Sequence, residues 1–474
     1  MKNLKMSKMK ASTKIPTVCV QGLGFVGAAM ATAVALSKNE NGKFRYNVIG
    51  VELPTKEGQR RVDCINRGEF PLTTVDEDLA LAIKTGSEDG NLAATTDQTV
   101  YQNAQFVIID VALDISITED DPRIDFSVLE DAVRTIGRSM RQDALVVVET
   151  TVAPGTCEHV IVPILQEEFK KRGLPTASIQ IAHSYERVMP GKEYLDSIIN
   201  DWRVYSGYTT ESAKSCRRFL ETIINTKEFP LTELSTIAAS ETAKIIENSY
   251  RATNIAFIDE WTKFSEKIGI DLYEVIRAIA IRPTHSNIRY PGVGVGGYCL
   301  TKDPIFAPAA AAQIFDLKGL SFPFVGLTKD INQRMPCHVV DRLEEAMGNS
   351  LRGKEVLICG VSYRPDIGDS RFSPSETLVW ELKIRGANVL LNDPVVGYWE
   401  ELEIRVDEKM PERKVDGVIL AVAHSVYRDC QMLDWLQRNA TVIVDAVDLL
   451  SAEQRYQLKA QGLSVNSIGR GSDI

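Results

Sequence analysis

Two doubly wound parallel-sheet α/β domains joined by a central helical domain are what this sequence predicts, and three observations predict them. Short β-rich runs alternate with helix-like stretches in both halves of the 474 residues. Each half opens on an apolar run that breaks at a glycine, Thr17–Gln21 before Gly22 and Glu355–Cys359 before Gly360. Between the halves, Leu231 to Ile268 reads as one long helix or two, with no glycine until Gly269. Strands alternating with helices build parallel sheets covered on both faces. We place the boundaries at 1–228 (dinucleotide-binding), 229–335 (helical) and 336–474 (a second nucleotide-type domain).

Composition narrows the function classes. The chain is 44% hydrophobic and 25% charged, ordinary for a globular protein, with a net charge of -10. No basic cluster with interleaved aromatics appears, which excludes a nucleic-acid binder. No window approaches the ~18 apolar residues that span a bilayer, so no membrane insertion is expected. Met1 to Lys14 is basic without a following apolar run and reads as a disordered leader rather than a signal peptide. The eight cysteines show no CxxC spacing and no zinc-type cluster, so we expect no metal and a reduced, cytoplasmic setting.

In the first half, Gly22-Leu-Gly24-Phe25-Val26-Gly27 follows a strand-like run and precedes Ala-rich sequence to Leu36. Gly22 permits the turn, Gly24 admits a pyrophosphate to the backbone, and Gly27 lets helix and strand pack closely. A second run, Tyr46 to Val51, ends on Glu52, whose carboxylate suits both ribose hydroxyls and repels a 2′-phosphate, so NAD is expected over NADP. Further strand-like runs deliver Asp110, Glu149-Thr-Thr151 and His183-Ser-Tyr-Glu186-Arg187 to strand ends, where such sheets collect ligands. Thr150 and Thr151 fit helix capping as well as function. Glu186 and Arg187 fit an acid/base or anion-clamping pair, although most such neighbours are solvated surface.

Lys244 and Asn248 are four apart on the central helix and share one face. That helix also offers a natural dimer surface. Beyond it, Gly292, Gly294, Gly296 and Gly297 precede Cys299, with Lys302 and Asp303 just after. A glycine platform carrying one thiol is an address for a nucleophile, or else a surface turn with a small buried cysteine. In the second half Arg364 and Arg371 flank a turn, and guanidinium forks match phosphate oxygens.

Taken together, these segments resemble the nucleotide-sugar 6-dehydrogenase family (UDP-glucose, UDP-N-acetylhexosamine and GDP-mannose dehydrogenases) from Val18 to about Ser451. Five motifs carry the resemblance in family order: the Gly22–Gly27 turn, Glu149-Thr-Thr151-Val-Ala-Pro-Gly-Thr, Glu186-Arg187-Val188-Met-Pro-Gly, Glu241-Thr-Ala-Lys244-Ile-Ile-Glu-Asn248, and Gly294-Val-Gly296-Gly-Tyr-Cys299-Leu-Thr-Lys302-Asp303. The resemblance implies Rossmann-like domains and a four-electron oxidation of a sugar C6 alcohol to a carboxylate with two NAD and one water. It makes Cys299 the group that adds to the C6 aldehyde and passes through a thiohemiacetal and a thioester. It gives Lys244 and Asn248 the oxyanions, Asp303 and Glu186 the water and protons, Thr151 the placing of that water, and Lys302 a cofactor contact. It also implies substrate contacts from Glu186, Arg187, Val188, Tyr290 and Gly296, a homodimer or larger assembly, and an arginine, Arg282, reaching a neighbour's nucleotide.

Departures from the family pattern bear on the sugar. Asp110-Val-Ala-Leu-Asp114 replaces Val-Pro-Thr-Pro, and Asp445-Ala-Val-Asp lacks the arginine often found there. Pro190 stands where the UDP-glucose branch has a second Glu, which resembles the N-acetylhexosamine branch, whereas Tyr298 and Lys302 depart from that branch. The expected substrate is UDP-N-acetylglucosamine or UDP-N-acetylmannosamine, with UDP-glucose as the alternative. Two readings of other classes remain: a two-electron hydroxyacid dehydrogenase using Lys244 alone, and a non-catalytic NAD-binding scaffold.

Overall fold

The computed structural model describes residues 15–118 and 121–471; the expected leader, Met1 to Lys14, lies outside the described residues. The chain forms two compact units, the first made of residues up to Ile246 with Ile305–Ser321, the second of Glu247–Pro304 with Phe322 onward. The helix Ile237–Ile268 starts in the first and ends in the second, as does Tyr298–Gln313 in the reverse sense.

The first unit holds β1 (Thr17–Gln21), β2 (Asn47–Val51), β3 (Leu92–Thr95), β4 (Ala104–Ile109), a hairpin of β5 (Asp114–Thr118) and β6 (Asp121–Asp125), β7 (Leu145–Val148), β8 (Gln180–His183), β9 (Val204–Gly207) and β10 (Thr232–Glu233). Its eight-stranded sheet runs β10-β9-β8-β7-β4-β1-β2-β3. The register is parallel except at β9, which pairs antiparallel with β8. Period-two alternation explains why both faces are covered. Val18 and Val20 point into one core with Val34, Leu79 and Phe219, while Cys19 points into the other with Val133, Leu165 and Phe306. Each such fully buried aliphatic side chain contributes about 1.5–3 kcal/mol.

The second unit is built on β11 (Glu355–Cys359), β12 (Asn388–Asn392), a small antiparallel pair β13 (Tyr398–Trp399) and β14 (Ile404–Arg405), β15 (Gly417–Leu420), β16 (Val442–Asp445) and β17 (Ser464–Ser467). Five of these form an all-parallel sheet in the order β12-β11-β15-β16-β17. Val356 and Ile358 face the helices Pro323–Ala346 and Pro374–Ile384; Leu357 and Cys359 face Cys430–Asn439 and Ala452–Ala460. In both sheets the strand order reverses beside the first strand, after β1 and after β11. Open parallel sheets bind ligands at such switch points.

Candidate active site

The turn after β1 has the geometry of a dinucleotide cradle. Gly22 sits at φ +93°, and a Cβ there would lie 2.5 Å from the carbonyl oxygen of Asp110. A Cβ on Gly27 would fall 2.0 Å from the Gly22 carbonyl, whereas one on Gly24 would meet nothing within 4 Å. The first and third glycines are therefore demanded by packing, and the second leaves open space beside the N-terminus of the helix Phe25–Leu36. That helix start has no side-chain cap hydrogen bond and no acidic residue in its first turn, which suits a phosphate. Phe25 anchors the turn through its carbonyl, which accepts the Tyr194 hydroxyl at 2.5 Å. Glu52 is buried at the end of β2, and its Oε1 accepts the Leu23 amide at 2.8 Å and an Arg61 N–H at 3.1 Å. Cradle, helix start and carboxylate fit NAD.

The ends of β4, β7 and β8 bring polar groups together in the same unit. Arg203 donates to Glu149 Oε1 at 2.6 Å, both almost fully buried. Asp110 has both carboxyl oxygens buried, and burial followed by the Glu149 charge holds its pKa well above the usual carboxylate range. Two carboxyl groups and one guanidinium so enclosed retain a proton. Beside them Lys244 donates to the Glu186 carbonyl at 2.7 Å and lies 3.6 Å from Glu186 Oε1. The Glu186 carboxylate also accepts the Val188 amide. Arg187 also donates to the Trp202 carbonyl and to the Tyr185 hydroxyl, the latter at 3.3 Å. His183 hydrogen-bonds Ser240 Oγ through Nδ1 at 2.7 Å, and burial followed by Lys244 pushes its pKa down to about 3, keeping it neutral. Thr151 is half-buried just past β7.

The second unit carries the thiol. Three of the four glycines ahead of it are dictated by neighbours, whereas a Cβ on Gly292 would meet nothing within 4 Å: a Cβ on Gly294 (φ +98°) would lie 2.4 Å from the Asn332 carbonyl, and one on Gly296 2.6 Å from Pro374 Cδ. A Cβ on Gly297 (φ +84°) would lie 2.6 Å from the Tyr363 ring. Cys299 follows, exposed, in the first turn of the helix Tyr298–Gln313, the end of a helix that favours negative charge. Asn248 donates to Asp303 Oδ2 at 2.7 Å, and Lys302 reaches Asp303 Oδ1 at 2.9 Å, all three buried. Lys302 and Arg371 also stand over the Tyr298 ring at 4.3 and 5.3 Å. Arg371 is chelated by Asp369, with its nearest contact at 2.6 Å.

Arg251 is held below the ordinary guanidinium value by burial, then by Arg289 and Arg364, so three cations gather in this unit. Such a gathering suits an anion carrying several phosphate oxygens. Arg282 is exposed at the start of the short turn Pro283–His285, and exposed Tyr290 stacks on Tyr273 with ring centroids 5.6 Å apart. Sequence reasoning missed Arg251, although it follows Asn248 by three positions on the same helical face. It also missed Glu241, whose carboxylate accepts the amides of Gly155 at 2.6 Å and Cys157 at 2.8 Å. Arg203 and Arg289 had no legible signal, since their partners lie far along the chain.

Models of the UDP-glucose/GDP-mannose dehydrogenase family match this chain in three parts: the NAD binding domain over residues 16–224, the central domain over 238–334 and the UDP binding domain over 357–452. A UDP-N-acetyl-D-mannosamine dehydrogenase from Campylobacter jejuni is 30% identical over 378 residues, covering 79% of this chain and 85% of the relative. Another protein of that name, from Methanocaldococcus jannaschii, is 28% identical over 473 residues, covering 99% of this chain and all (100%) of the relative. Among solved structures, an NDP-N-acetyl-D-galactosaminuronic acid dehydrogenase from Methanosarcina mazei aligns with a TM-score of 0.78 at 25% identity, covering 99% of this chain and 98% of the other.

Proposed function

The chain belongs to the UDP-glucose/GDP-mannose dehydrogenase family and is an NAD-dependent nucleotide-sugar dehydrogenase, and from that premise we propose that it oxidises the C6 alcohol of a UDP-N-acetylhexosamine to the carboxylate through Cys299. The observation that carries the chemistry is the exposed thiol at the head of a helix, on a platform where packing dictates Gly294, Gly296 and Gly297. Bound NAD supplies the acceptor for two electrons, twice per sugar.

The residues then divide the work. Lys244, with one N–H committed to the Glu186 carbonyl, offers its remaining donors to the C6 oxygen. After the first oxidation Cys299 sulfur bonds to the aldehyde carbon, and the oxygen of that adduct is stabilised by Lys244 and Asn248. Loss of a second hydride leaves a thioester. Asp303 and Glu186 take the protons of the water that attacks it, Thr151 helps place that water, and the sulfur leaves as thiolate. One water oxygen enters, two hydrides and the displaced protons leave, and the carboxylate is the product. Cofactor contacts fall to Gly22, Gly24, Phe25, Val26, Gly27, Glu52, Thr151 and Lys302; those of the substrate to Glu186, Arg187, Val188, Tyr290, Gly296, Arg364, Arg371 and, from a neighbouring subunit, Arg282. We assign NAD to residues 1–228, the thiol platform and subunit contacts to 229–335, and the UDP end to 336–474.

The sugar is argued from the names of the similar enzymes and from Pro190 in the Glu186 motif. A specific feature speaks for UDP-glucose instead: Lys302, buried against Asp303, is a residue that the N-acetylhexosamine pattern lacks. A panel of UDP-N-acetylglucosamine, UDP-N-acetylmannosamine, UDP-glucose and GDP-mannose, followed by NADH absorbance, decides. The proposal expects kcat/KM for one UDP-N-acetylhexosamine to exceed that for UDP-glucose by roughly tenfold or more. Preference for UDP-glucose would overturn the sugar assignment.

A homodimer or larger assembly is proposed as well. Tyr250, Phe257, Trp261 and Phe264 on the long helix are 53%, 54%, 45% and 51% exposed, an apolar stripe of the kind that partners cover. None of the eight cysteines is in a disulfide, which suits the cytoplasmic setting we propose.

A further inference from the structure

The second sheet encloses a polar network that the chemistry above does not use. Ser362, Asp393 and His424 have no exposed surface, each at 0%. His424 Nδ1 lies 3.0 Å from the backbone N–H of Asp366. A backbone amide only donates, so this nitrogen is the bare acceptor and the ring proton resides on Nε2. Nε2 stands 3.1 Å from both Asp393 Oδ2 and Ser362 Oγ. The same Asp393 oxygen accepts the amides of Val361 and Ser362 at 2.8 and 3.0 Å, and the Ser362 hydroxyl donates to the Arg364 carbonyl at 3.0 Å. Asp366, at φ +59°, accepts the Ser425 amide through its carboxylate at 2.9 Å.

A serine, a histidine and an aspartate in contact invite a nucleophilic reading, which the geometry rejects. One nitrogen faces both partners instead of relaying between them, no member of the trio is exposed, and the serine proton is committed to a carbonyl. What the trio does is clamp the turn Val361–Asp366. That turn carries the Tyr363 ring onto Gly297 and Arg364 into the arginine cluster.

We propose that neutral His424 is a positioning residue for the nucleotide end of the substrate, holding the Val361–Asp366 turn through the Asp366 amide and the Asp393 carboxylate so that Arg364 and Tyr363 are preorganised. The inference rests on the reading that this unit binds the UDP moiety. It is tested by calorimetric titration of UDP, and by KM for the nucleotide sugar and for NAD, in wild type, Arg364→Ala, His424→Phe and His424→Asn. Wild type binds UDP and Arg364→Ala binds it more weakly. His424→Phe keeps the ring volume without either bond, and is expected to weaken UDP and raise the sugar KM by roughly tenfold with KM for NAD unchanged. His424→Asn places an amide oxygen where Nδ1 stood and is expected to recover much of that loss. A folded His424→Phe protein with UDP affinity within about twofold of wild type overturns the inference, as does an equal rise in both KM values. Should His424→Phe fail to fold, Ser362→Ala replaces it: weaker UDP supports the clamp, and unchanged affinity overturns it. Failure of wild type to bind UDP would overturn the UDP reading itself and the inference with it, whereas binding that the variants leave unchanged would overturn the inference alone.

Discussion

Glu241 shows how a buried side chain ties chain segments together before any substrate arrives. Its carboxylate closes the amides of Gly155 and Cys157 at the start of a helical run, and burial lifts its pKa from the ordinary 4.5 to about 7. The folded protein therefore keeps a proton that the unfolded chain has released above pH 4.5. This contribution is complete below that pH and is lost as pH rises through 7, roughly 3 kcal/mol in all. Glu241→Gln removes the titration while keeping one acceptor oxygen. The expected outcome is that wild type exceeds the variant in Tm by more at pH 5 than at pH 8. A difference that stays flat or grows with pH would contradict it. Cys299, Lys244, Asn248 and Asp303 were legible as single positions because motif spacing marks them. Glu241 sat inside a legible motif without a legible role, since its partners are 84 and 86 residues away.

At the scale of elements, the turn after β1 makes two different demands on its glycines. Gly22→Ala puts a side chain into the Asp110 backbone at an unfavourable φ, and is expected to cost about 2 kcal/mol or more of stability. Gly24→Ala meets open space and is expected to leave Tm near that of wild type while raising KM for NAD several-fold, because the methyl fills room meant for phosphate. Thermal unfolding and NAD kinetics on the two variants separate these effects; equal Tm losses would contradict the assignment. The strands that were legible are continuous apolar runs such as those of β1, β7, β11 and β16. Those that were not are short, Ala-rich or polar: Leu92-Ala-Ala-Thr in β3, Val204-Tyr-Ser-Gly in β9, Ser464-Val-Asn-Ser in β17. Backbone register with a neighbour creates these strands, and no side-chain pattern announces that. The same cause placed β10 within Leu231–Ile268, where the sequence reads helix and the helix begins only at Ile237.

For the whole molecule, the apolar stripe on the long helix has a consequence in solution. Wild type is expected to sediment as a dimer or larger species, and Phe257→Glu with Trp261→Glu to sediment as a monomer, because a buried unpaired carboxylate is costly. A monomeric wild type would contradict the assembly proposed. The two-sheet architecture was legible because strand and helix patterns alternate over the whole chain. How the helical segment divides between compact bodies was not, since a helix of 32 residues without glycine carries no local mark of where one unit ends.

In the proposed chemistry one thiol lets a single site oxidise the same carbon twice. This is tested most directly by the moles of NADH formed per mole of nucleotide sugar consumed, in wild type and in the Cys299→Ser and Cys299→Ala proteins. Two NADH per sugar are expected in wild type, with no complete turnover in either variant and an aldehyde-level adduct accumulating in Cys299→Ser. One NADH per product, or full turnover by Cys299→Ala, would contradict that chemistry.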